Sequence, residues 1–179
     1  LLALFCLAII LLTYLILYVP KFDYIQGRIL SFLNRDSGTH NFQSDKAIDS
    51  ITSGGFFGKG IGEGILKNKV HDAHTDYIIS VISEEFGVVA IMLILLLFLI
   101  FIYMVFKKIS FETDDKIKLI LIGSISLILM QATIHIGVNI RLFPTTGMTL
   151  PFLSYGGSSI ISTSILAGII LNLTKRKIN

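Results

Sequence analysis

A cluster of acidic and imidazole side chains is the part of this sequence best suited to acid–base chemistry. The segment His71-Asp72-Ala73-His74-Thr75-Asp76-Tyr77 places two carboxylates and two imidazoles within six residues. An aspartate beside apolar surface tends toward a raised pKa, which helps its carboxylate accept a proton as a general base. Two other roles stay open: Thr75 or Asp76 could cap a helix that begins near Tyr77, and the two imidazoles with a carboxylate could bind a metal, although their spacing matches no strong zinc pattern.

Two further carboxylates, Glu84 and Glu85, follow one to two turns into the helix that the cluster precedes. Asp76 and Glu84 are eight residues apart, which places them on roughly the same face of a helix. Carboxylates within a membrane are costly and usually face a cavity or a partner. The alternative is that both glutamates lie at the depth of the membrane interface, where the cost is small, and the sequence favours neither.

A glycine-dense segment precedes the cluster. Residues 54–64 contain six glycines in eleven positions, together with Phe56, Phe57 and Lys59. Such a run predicts a backbone that takes positive φ angles or passes close to a ligand.

A second irregular segment follows much later in the chain. Pro144, Gly147 and Pro151 interrupt any helix between residues 141 and 151, and a Gly156-Gly157 pair follows. The glycine pair indicates irregular backbone at membrane depth, which survives only where protein or a water-filled cavity receives it. Three serines spaced four residues apart predict a small polar stripe along one helix face, with close helix packing as the alternative role. These serines are Ser154, Ser158 and Ser162.

Four apolar runs must position these groups. They cover residues 1–19, 88–106, 119–138 and 152–173, and each is about as long as the 20 residues that cross a bilayer. Mean hydropathy is +0.79, and the single cysteine allows no intramolecular disulfide. The chain begins inside an apolar run without a charged segment or a cleavage pattern, which argues against a signal peptide and suggests that earlier spans precede it.

The distribution of basic residues predicts the orientation. The loop at 107–118 and the tail from residue 174 hold seven Lys or Arg in 18 positions, whereas the long loop at 20–77 holds seven in 58. The denser pieces are expected in the cytoplasm. The predicted boundaries are transmembrane helices over 1–19, 78–107, 118–140 and 152–174, extracytoplasmic loops over 20–77 and 141–151, a cytoplasmic loop over 108–117, and a cytoplasmic tail over 175–179.

The long outer loop is expected to be folded, because it is rich in aromatic residues that disordered segments lack. Residues Phe22–Leu33 predict an amphipathic interfacial helix, and Gln43–Ser53 predict a second short one. The fold class is therefore an all-α integral membrane protein with four transmembrane helices and one large extracellular loop. An outward-facing polar cavity is expected, with the glycine-dense segment and the Asp76 corner as one wall and the segment Pro144–Ser159 as the other.

The motifs at these positions resemble those of the SEDS proteins (shape, elongation, division and sporulation), in order and at fitting spacings over essentially the whole chain. They are Gly55–Gly62, Ala73–Ile78, Glu84–Gly87 and Pro144–Ser159. The resemblance implies the last four helices of a ten-helix bundle. The tripeptide Thr149-Leu150-Pro151 resembles the cell-division members of the family more than the elongation members.

The resemblance also implies a peptidoglycan glycosyltransferase that polymerises lipid II. The proposed catalytic aspartate of the family falls on Asp76, and its Ser-Tyr-Gly-Gly-Ser-Ser motif falls on Ser154–Ser159. Its loop lysine falls on Lys67 when the alignment is shifted by one residue. Cationic or backbone N–H groups should stabilise the diphosphate leaving group, and the candidates are Lys59, Lys67 and the glycine-dense segment. The expected substrate-binding residues are Lys59, Lys67, His74, Thr75, Ser154, Gly156, Gly157 and Ser158.

The implied setting is the bacterial cytoplasmic membrane, with the active site on its extracytoplasmic face. Expected partners are lipid II, a class B penicillin-binding transpeptidase, and other divisome or elongasome membrane proteins, but no nucleic acid. A divalent cation, Mg²⁺ or Mn²⁺, would suit the reaction, although the sequence shows no ligand set for it. The alternatives are a lipid II flippase and a scaffold that recruits a transpeptidase. A flippase would need charge through the bilayer centre, where only His135 is a candidate.

Overall fold

The computed structural model describes residues 23–33, 39–70 and 72–175, together with positions 5, 7, 11 and 14. Every regular element in this part of the chain is a helix. The helices are α1 (Asp23–Leu33), α2 (Thr39–Gly54), α3 (Leu66–Lys69), α4 (Ile78–Phe111), α5 (Asp115–Asn139) and α6 (Gly157–Thr174). The predicted span over residues 1–19 lies, apart from the four single positions, outside the described residues.

Three helices, α4, α5 and α6, are long and apolar enough to cross a membrane. They lie where three of the four spans were predicted, and the two helices expected in the long loop are present as α1 and α2. Leu121, Ile125 and Ile128 share one face of α5 at helical spacing. They form a buried core with Val105 of α4 and Ile170 of α6. This core holds the three long helices together.

A second core lies at the ends of α4 and α5 nearest residue 77, here called the loop-side ends. It joins apolar side chains from the loop helices to both long helices. The buried members are Ala47, Leu66, Val70, Ala73, Tyr77, Val81 and Val138. The Tyr77 hydroxyl lies 3.4 Å from Ser44 Oγ of α2. The segment from α2 to Tyr77 is therefore packed onto the long helices, as its aromatic content predicted.

Helix α4 is broken at Gly87, which has φ 77° and ψ −177°. In an unbroken helix, the N–H groups of Val88 and Val89 would donate to the carbonyls four residues earlier. Here Val88 N donates to Gly55 O at 2.9 Å and Val89 N to Phe56 O at 3.3 Å. The glycine-dense loop thus satisfies the donors that the break releases.

The same loop also satisfies the acceptors that the break releases. Lys59 N donates to Glu84 O at 2.8 Å, and Gly60 N donates to Glu85 O at 3.1 Å. All four backbone groups therefore exchange a helical partner for a loop partner, which matters where water is scarce. The loop and the kink form one interlocked unit.

This interlock needs glycine on both sides. A Cβ added at Gly58, which has φ 77°, would lie 2.2 Å from Glu85 O, and one at Gly87 would lie 2.2 Å from Phe56 O. The prediction of positive φ angles in the glycine-dense run is confirmed. The close approach that the glycines permit is to the backbone of α4.

Candidate active site

Asp76 lies in the turn that leads into α4, with its N–H donating to Asp72 O at 3.0 Å. The N-cap of α4 is Tyr77, whose side chain makes no capping hydrogen bond. The Thr75 hydroxyl instead donates back to Asp72 O at 3.1 Å. The hypothesis that Thr75 or Asp76 caps the helix is therefore wrong, and the Asp76 carboxylate is left available for other chemistry.

The turn before α6 holds the backbone of the Asp76 segment. Tyr155 N donates to His74 O at 3.1 Å. The buried Ser154 hydroxyl donates to Thr75 O at 2.7 Å and accepts from Leu150 N at 2.8 Å. The structure thus brings His74, Thr75 and Ser154 together with Asp76, as expected. Ser154 makes its contacts to protein backbone.

The serine-stripe prediction is wrong for Ser154. Helix α6 begins at Gly157, so Ser154 precedes it and shares no helical face with Ser158 and Ser162. Gly157 and Ser158 are exposed at the start of α6. The irregular backbone expected around Gly156 is confirmed, since residues 143–156 contain no helix.

Asn139 at the loop-side end of α5 is the most connected polar side chain of the site. It is fully buried. Its Nδ2 donates to Asp76 O and to His135 O, both at 2.9 Å. Its Oδ1 accepts from Ser80 N at 3.3 Å and from Ser80 Oγ at 2.7 Å. Asn139 therefore holds the carbonyl of Asp76 and the first turn of α4 at once.

The Asp76 carboxylate faces the backbone of the 141–151 segment. A Cβ at Gly147 would lie 3.7 Å from Asp76 Oδ2. Arg28 of α1 donates to Thr145 O at 2.6 Å and places its positive charge near Asp76. Burial raises the pKa of Asp76 above its ordinary value and repulsion from Asp72 raises it further, while the Thr75 hydroxyl and Arg28 act in the opposite direction. A raised pKa suits a proton acceptor.

The two lysines expected to bind substrate lie in different elements of the fold. Lys59 Nζ lies 3.0 Å from Glu84 Oε1. Lys67 belongs to the short helix α3. Lys59 also lines a polar cavity of about 170 Å³ with Lys46 and Lys69. The ammonium of Lys59 is thus already engaged by a carboxylate of this chain.

Glu84 is buried and paired. Besides Lys59, its Oε2 accepts from Leu66 N at 3.0 Å. The side chain is 3% exposed, whereas that of Lys59 is 34% exposed. Glu84 thus has partners within the chain, Lys59 and the backbone of Leu66. Glu84 fastens the start of α3 and the glycine-dense loop to α4.

We expect Glu84→Ala to lower the stability of the complete protein that contains this chain, by about 1–3 kcal/mol, because the buried Leu66 N–H loses its acceptor. Glu84→Gln retains an acceptor oxygen and should cost less. Thermal unfolding of both variants in detergent measures the difference. Equal midpoints for Glu84→Ala and the unmodified protein would show that the pair does not stabilise the loop.

Polar side chains of α5 also support the irregular segment before α6. Gln131 Nε2 donates to Thr149 O at 2.9 Å and to Ser159 Oγ at 3.0 Å. His135 Nδ1 lies 2.8 Å from Met148 O. Backbone groups that no helix satisfies thus find partners inside the protein, as irregular backbone in a membrane requires.

The described residues contain no cluster of metal-ligating side chains. No group of three or more His, Cys, Asp or Glu side chains within them could hold a metal ion. Asp72 and Asp76 are near each other, but the charge of Arg28 already acts on the same carboxylate. His71, one of the two imidazoles suggested for a metal, lies outside the described residues.

Sequence reasoning missed Asn139, Gln131 and Arg28. Asn139 meets Asp76 across 63 positions, and Arg28 meets Thr145 across 117. A polar amide near the end of an apolar run, where an unsatisfied amide is costly, is the one local signal that could have identified Asn139 and Gln131.

The chain matches a known protein family over its whole length. The family model described as "Cell cycle protein" (FTSW_RODA_SPOVE) covers residues 1–179. The chain belongs to this family. The resemblance to the SEDS proteins is therefore confirmed.

Curated relatives of this SEDS chain carry a common description. A protein of Caulobacter vibrioides, described as "Probable peptidoglycan glycosyltransferase FtsW", is 38% identical over 161 residues, which are 87% of this chain and 40% of that protein. A protein of Geobacter metallireducens with the same description is 36% identical over 170 residues, or 92% of this chain and 45% of that protein. The chain thus spans less than half the length of these relatives.

A solved structure has the same fold. It comes from work titled "Structural coordination of polymerization and crosslinking by a peptidoglycan synthase complex". The TM-score is 0.74 at 26% sequence identity, over 99% of this chain and 49% of the other. The helices described here therefore form part of a SEDS fold.

Proposed function

We propose that the complete protein containing this chain is a peptidoglycan glycosyltransferase that polymerises lipid II during septal wall synthesis in cell division. The observation that carries the proposal is the Asp76 carboxylate, which caps no helix and has a raised pKa. The relatives described as probable FtsW glycosyltransferases support the reaction class and the division role.

In the proposed reaction, the 4-hydroxyl of one lipid-linked disaccharide attacks the anomeric carbon of another. The new glycosidic bond forms as the bond from that carbon to the diphosphate oxygen breaks. Undecaprenyl diphosphate leaves with the electron pair, and Asp76 accepts the hydroxyl proton as general base. His74 and Thr75 lie beside Asp76 and are proposed to contact the sugars.

The other substrate-binding residues belong to the same proposal. Lys67, Gly156, Gly157 and Ser158 keep their predicted substrate-binding roles. Lys59 fits this role less well, because its pairing with Glu84 neutralises its charge. Ser154 also contacts backbone rather than open space. A substitution of Lys59 would then affect the reaction by disturbing the glycine-dense loop rather than by removing a contact to the diphosphate.

The three candidate spans and the distribution of basic residues support the proposed setting. Residues 1–179 form the last four spans of a ten-helix bundle in the bacterial cytoplasmic membrane, with 20–77 and 141–151 on the extracytoplasmic side. A class B penicillin-binding transpeptidase is the proposed partner, since the matched structure is titled as part of a polymerising and crosslinking complex. Residues 88–106 of α4 and all of α6 carry no charged side chain. That composition favours the enzyme over a flippase, which needs charge across the bilayer.

Two assays on one preparation test the function. The complete protein is reconstituted into vesicles with its transpeptidase and supplied with labelled lipid II. We expect long glycan strands and no acceleration of lipid II movement between leaflets. Accelerated movement without strands would favour the flippase, and neither activity would favour the scaffold.

The polymerisation rate is expected to depend on pH through Asp76. A general base must be ionised, so the rate should rise as pH rises through the pKa of Asp76. Burial and Asp72 raise that pKa, so the rise should occur above the range of an ordinary aspartate. Asp72→Asn removes one raising charge and should move the rise to lower pH without changing the plateau. Initial rates across acid to neutral pH provide the measurement, and a rise that Asp72→Asn leaves in place contradicts the assignment.

A further inference from the structure

Three successive carbonyls before α4, those of His74, Thr75 and Asp76, are each held by a donor from a different part of the chain. The donors are Tyr155 N, Ser154 Oγ and Asn139 Nδ2, at 3.1, 2.7 and 2.9 Å. We call these three donors the carbonyl clamp. Both side-chain donors are buried, with Asn139 fully inaccessible and Ser154 3% exposed.

The Asn139 amide takes the place of a helical hydrogen bond. In a regular helix, Ser80 N would donate to Asp76 O. Here Ser80 N donates to Asn139 Oδ1, and Asn139 Nδ2 donates to Asp76 O. The side-chain amide is inserted between the two backbone groups, much as an extra peptide unit would be. Asp76 is therefore held just outside α4, in a position that Asn139 sets.

Ser154 holds the neighbouring peptide. Its hydroxyl connects Thr75 O to Leu150 N. Hydrogen bonds thus connect the Asp76 segment both to α5 and to the turn before α6. Gly147, whose Cβ position lies 3.7 Å from Asp76 Oδ2, belongs to the segment that leads into this turn.

We propose that Asn139 and Ser154 are positioning residues, which aim the Asp76 carboxylate by holding its backbone and do not touch the substrate. The inference rests on the proposed role of Asp76 as general base. A base acts efficiently only within hydrogen-bond reach of the proton it abstracts. A displacement of about 1 Å can lower a rate about 10²-fold. Loss of either clamp side chain should therefore reduce turnover and leave substrate affinity intact.

The test uses Asn139→Ala and Ser154→Ala in the complete protein with its transpeptidase. We expect kcat for polymerisation to fall about 10- to 100-fold, with KM for lipid II unchanged within about twofold. The pH at which the rate rises should also move toward that of an ordinary aspartate, because a loosened Asp76 gains water. Both variants retain Asp72 and Arg28, the charged groups that shift the pKa of Asp76.

Two controls separate positioning from general damage. Ser80→Ala removes one hydrogen bond to Asn139 Oδ1 but keeps the bond to Asp76 O, so it should affect stability more than kcat. Ser162→Ala, exposed on α6, should change neither. If Asn139→Ala does not fold, Ser154→Ala decides the question alone.

Three outcomes would overturn the proposal. A raised KM with normal kcat in Ser154→Ala would make Ser154 a substrate contact. Unchanged kcat in the folded variants would remove any positioning role, and an equal kcat loss in Ser80→Ala would leave only a structural one. Asp76→Asn keeps the two failures apart: if it is active, the proposed function fails, whereas if it is inactive and the clamp variants are normal, only this inference fails.

Discussion

Replacing Gly87 by alanine is expected to prevent stable folding of the complete protein. Gly87 has φ 77° and ψ −177°, a conformation essentially reserved for glycine that costs about 1–3 kcal/mol for other residues. The added Cβ would lie 2.2 Å from Phe56 O and 2.5 Å from Gly58 N, both backbone atoms. The clash cannot be relieved by a rotamer change, so the loop must separate from the kink.

Separation leaves several backbone groups without partners. If α4 straightens, Val88 N and Val89 N can pair with the carbonyls of Glu84 and Glu85, but the loop groups Gly55 O, Phe56 O, Lys59 N and Gly60 N lose their partners in α4. Each buried polar group left unsatisfied costs about 1–3 kcal/mol. The total approaches the whole stability of an ordinary domain, which is about 5–15 kcal/mol. We therefore expect little detergent-soluble protein, or a thermal midpoint far below that of the unmodified chain.

Gly123→Ala is the matched control. Gly123 lies within α5, and a Cβ there meets no atom within 4 Å. Alanine is favoured over glycine in a helix by about 1 kcal/mol, so this variant should be neutral or slightly more stable. If Gly87→Ala and Gly123→Ala gave the same yield and midpoint, the interlock of loop and kink would not stabilise the protein.

The parts of the fold that depend on local pattern could be predicted from the sequence. Apolar runs of about 20 residues located α4, α5 and α6, and aromatic content indicated that the loop at 20–77 is folded. The dense glycines predicted positive φ angles. Their structural partner could not be predicted, because it is a break in α4 about 30 residues later, and a single glycine in an apolar helix gives no sign of a break.

The candidate site likewise has a part that could be predicted from the sequence and a part that could not. Asp76 stood out by composition, and its motif resemblance led to the same residue. Ser154 was assigned to a helical stripe because its spacing to Ser158 and Ser162 fits a helix, but the helix begins only at Gly157. The role of Asn139 depends on a contact with a residue 63 positions earlier in the chain, and no local pattern encodes such a contact. Long-range hydrogen bonds to the backbone could not be predicted from the sequence.

Asp76→Asn is expected to lower glycan polymerisation about 10²- to 10⁴-fold, the usual contribution of a general base. Asparagine has nearly the same shape but accepts no proton at its side chain. Its backbone carbonyl can still accept from Asn139, so the clamp and the start of α4 should persist. The loss should therefore appear in kcat while folding is retained.

The most direct test of the account compares polymerisation of purified lipid II by the complete protein carrying Asp76→Asn or Asp72→Asn, each with the transpeptidase present. Asp72 is exposed and four residues away, which makes it a control with the same type of side chain in the same segment. We predict that Asp76→Asn forms no long strands, although its thermal midpoint is unchanged, and that Asp72→Asn polymerises normally at neutral pH. Normal strands from Asp76→Asn would contradict the account, because the carboxylate could then not be the base.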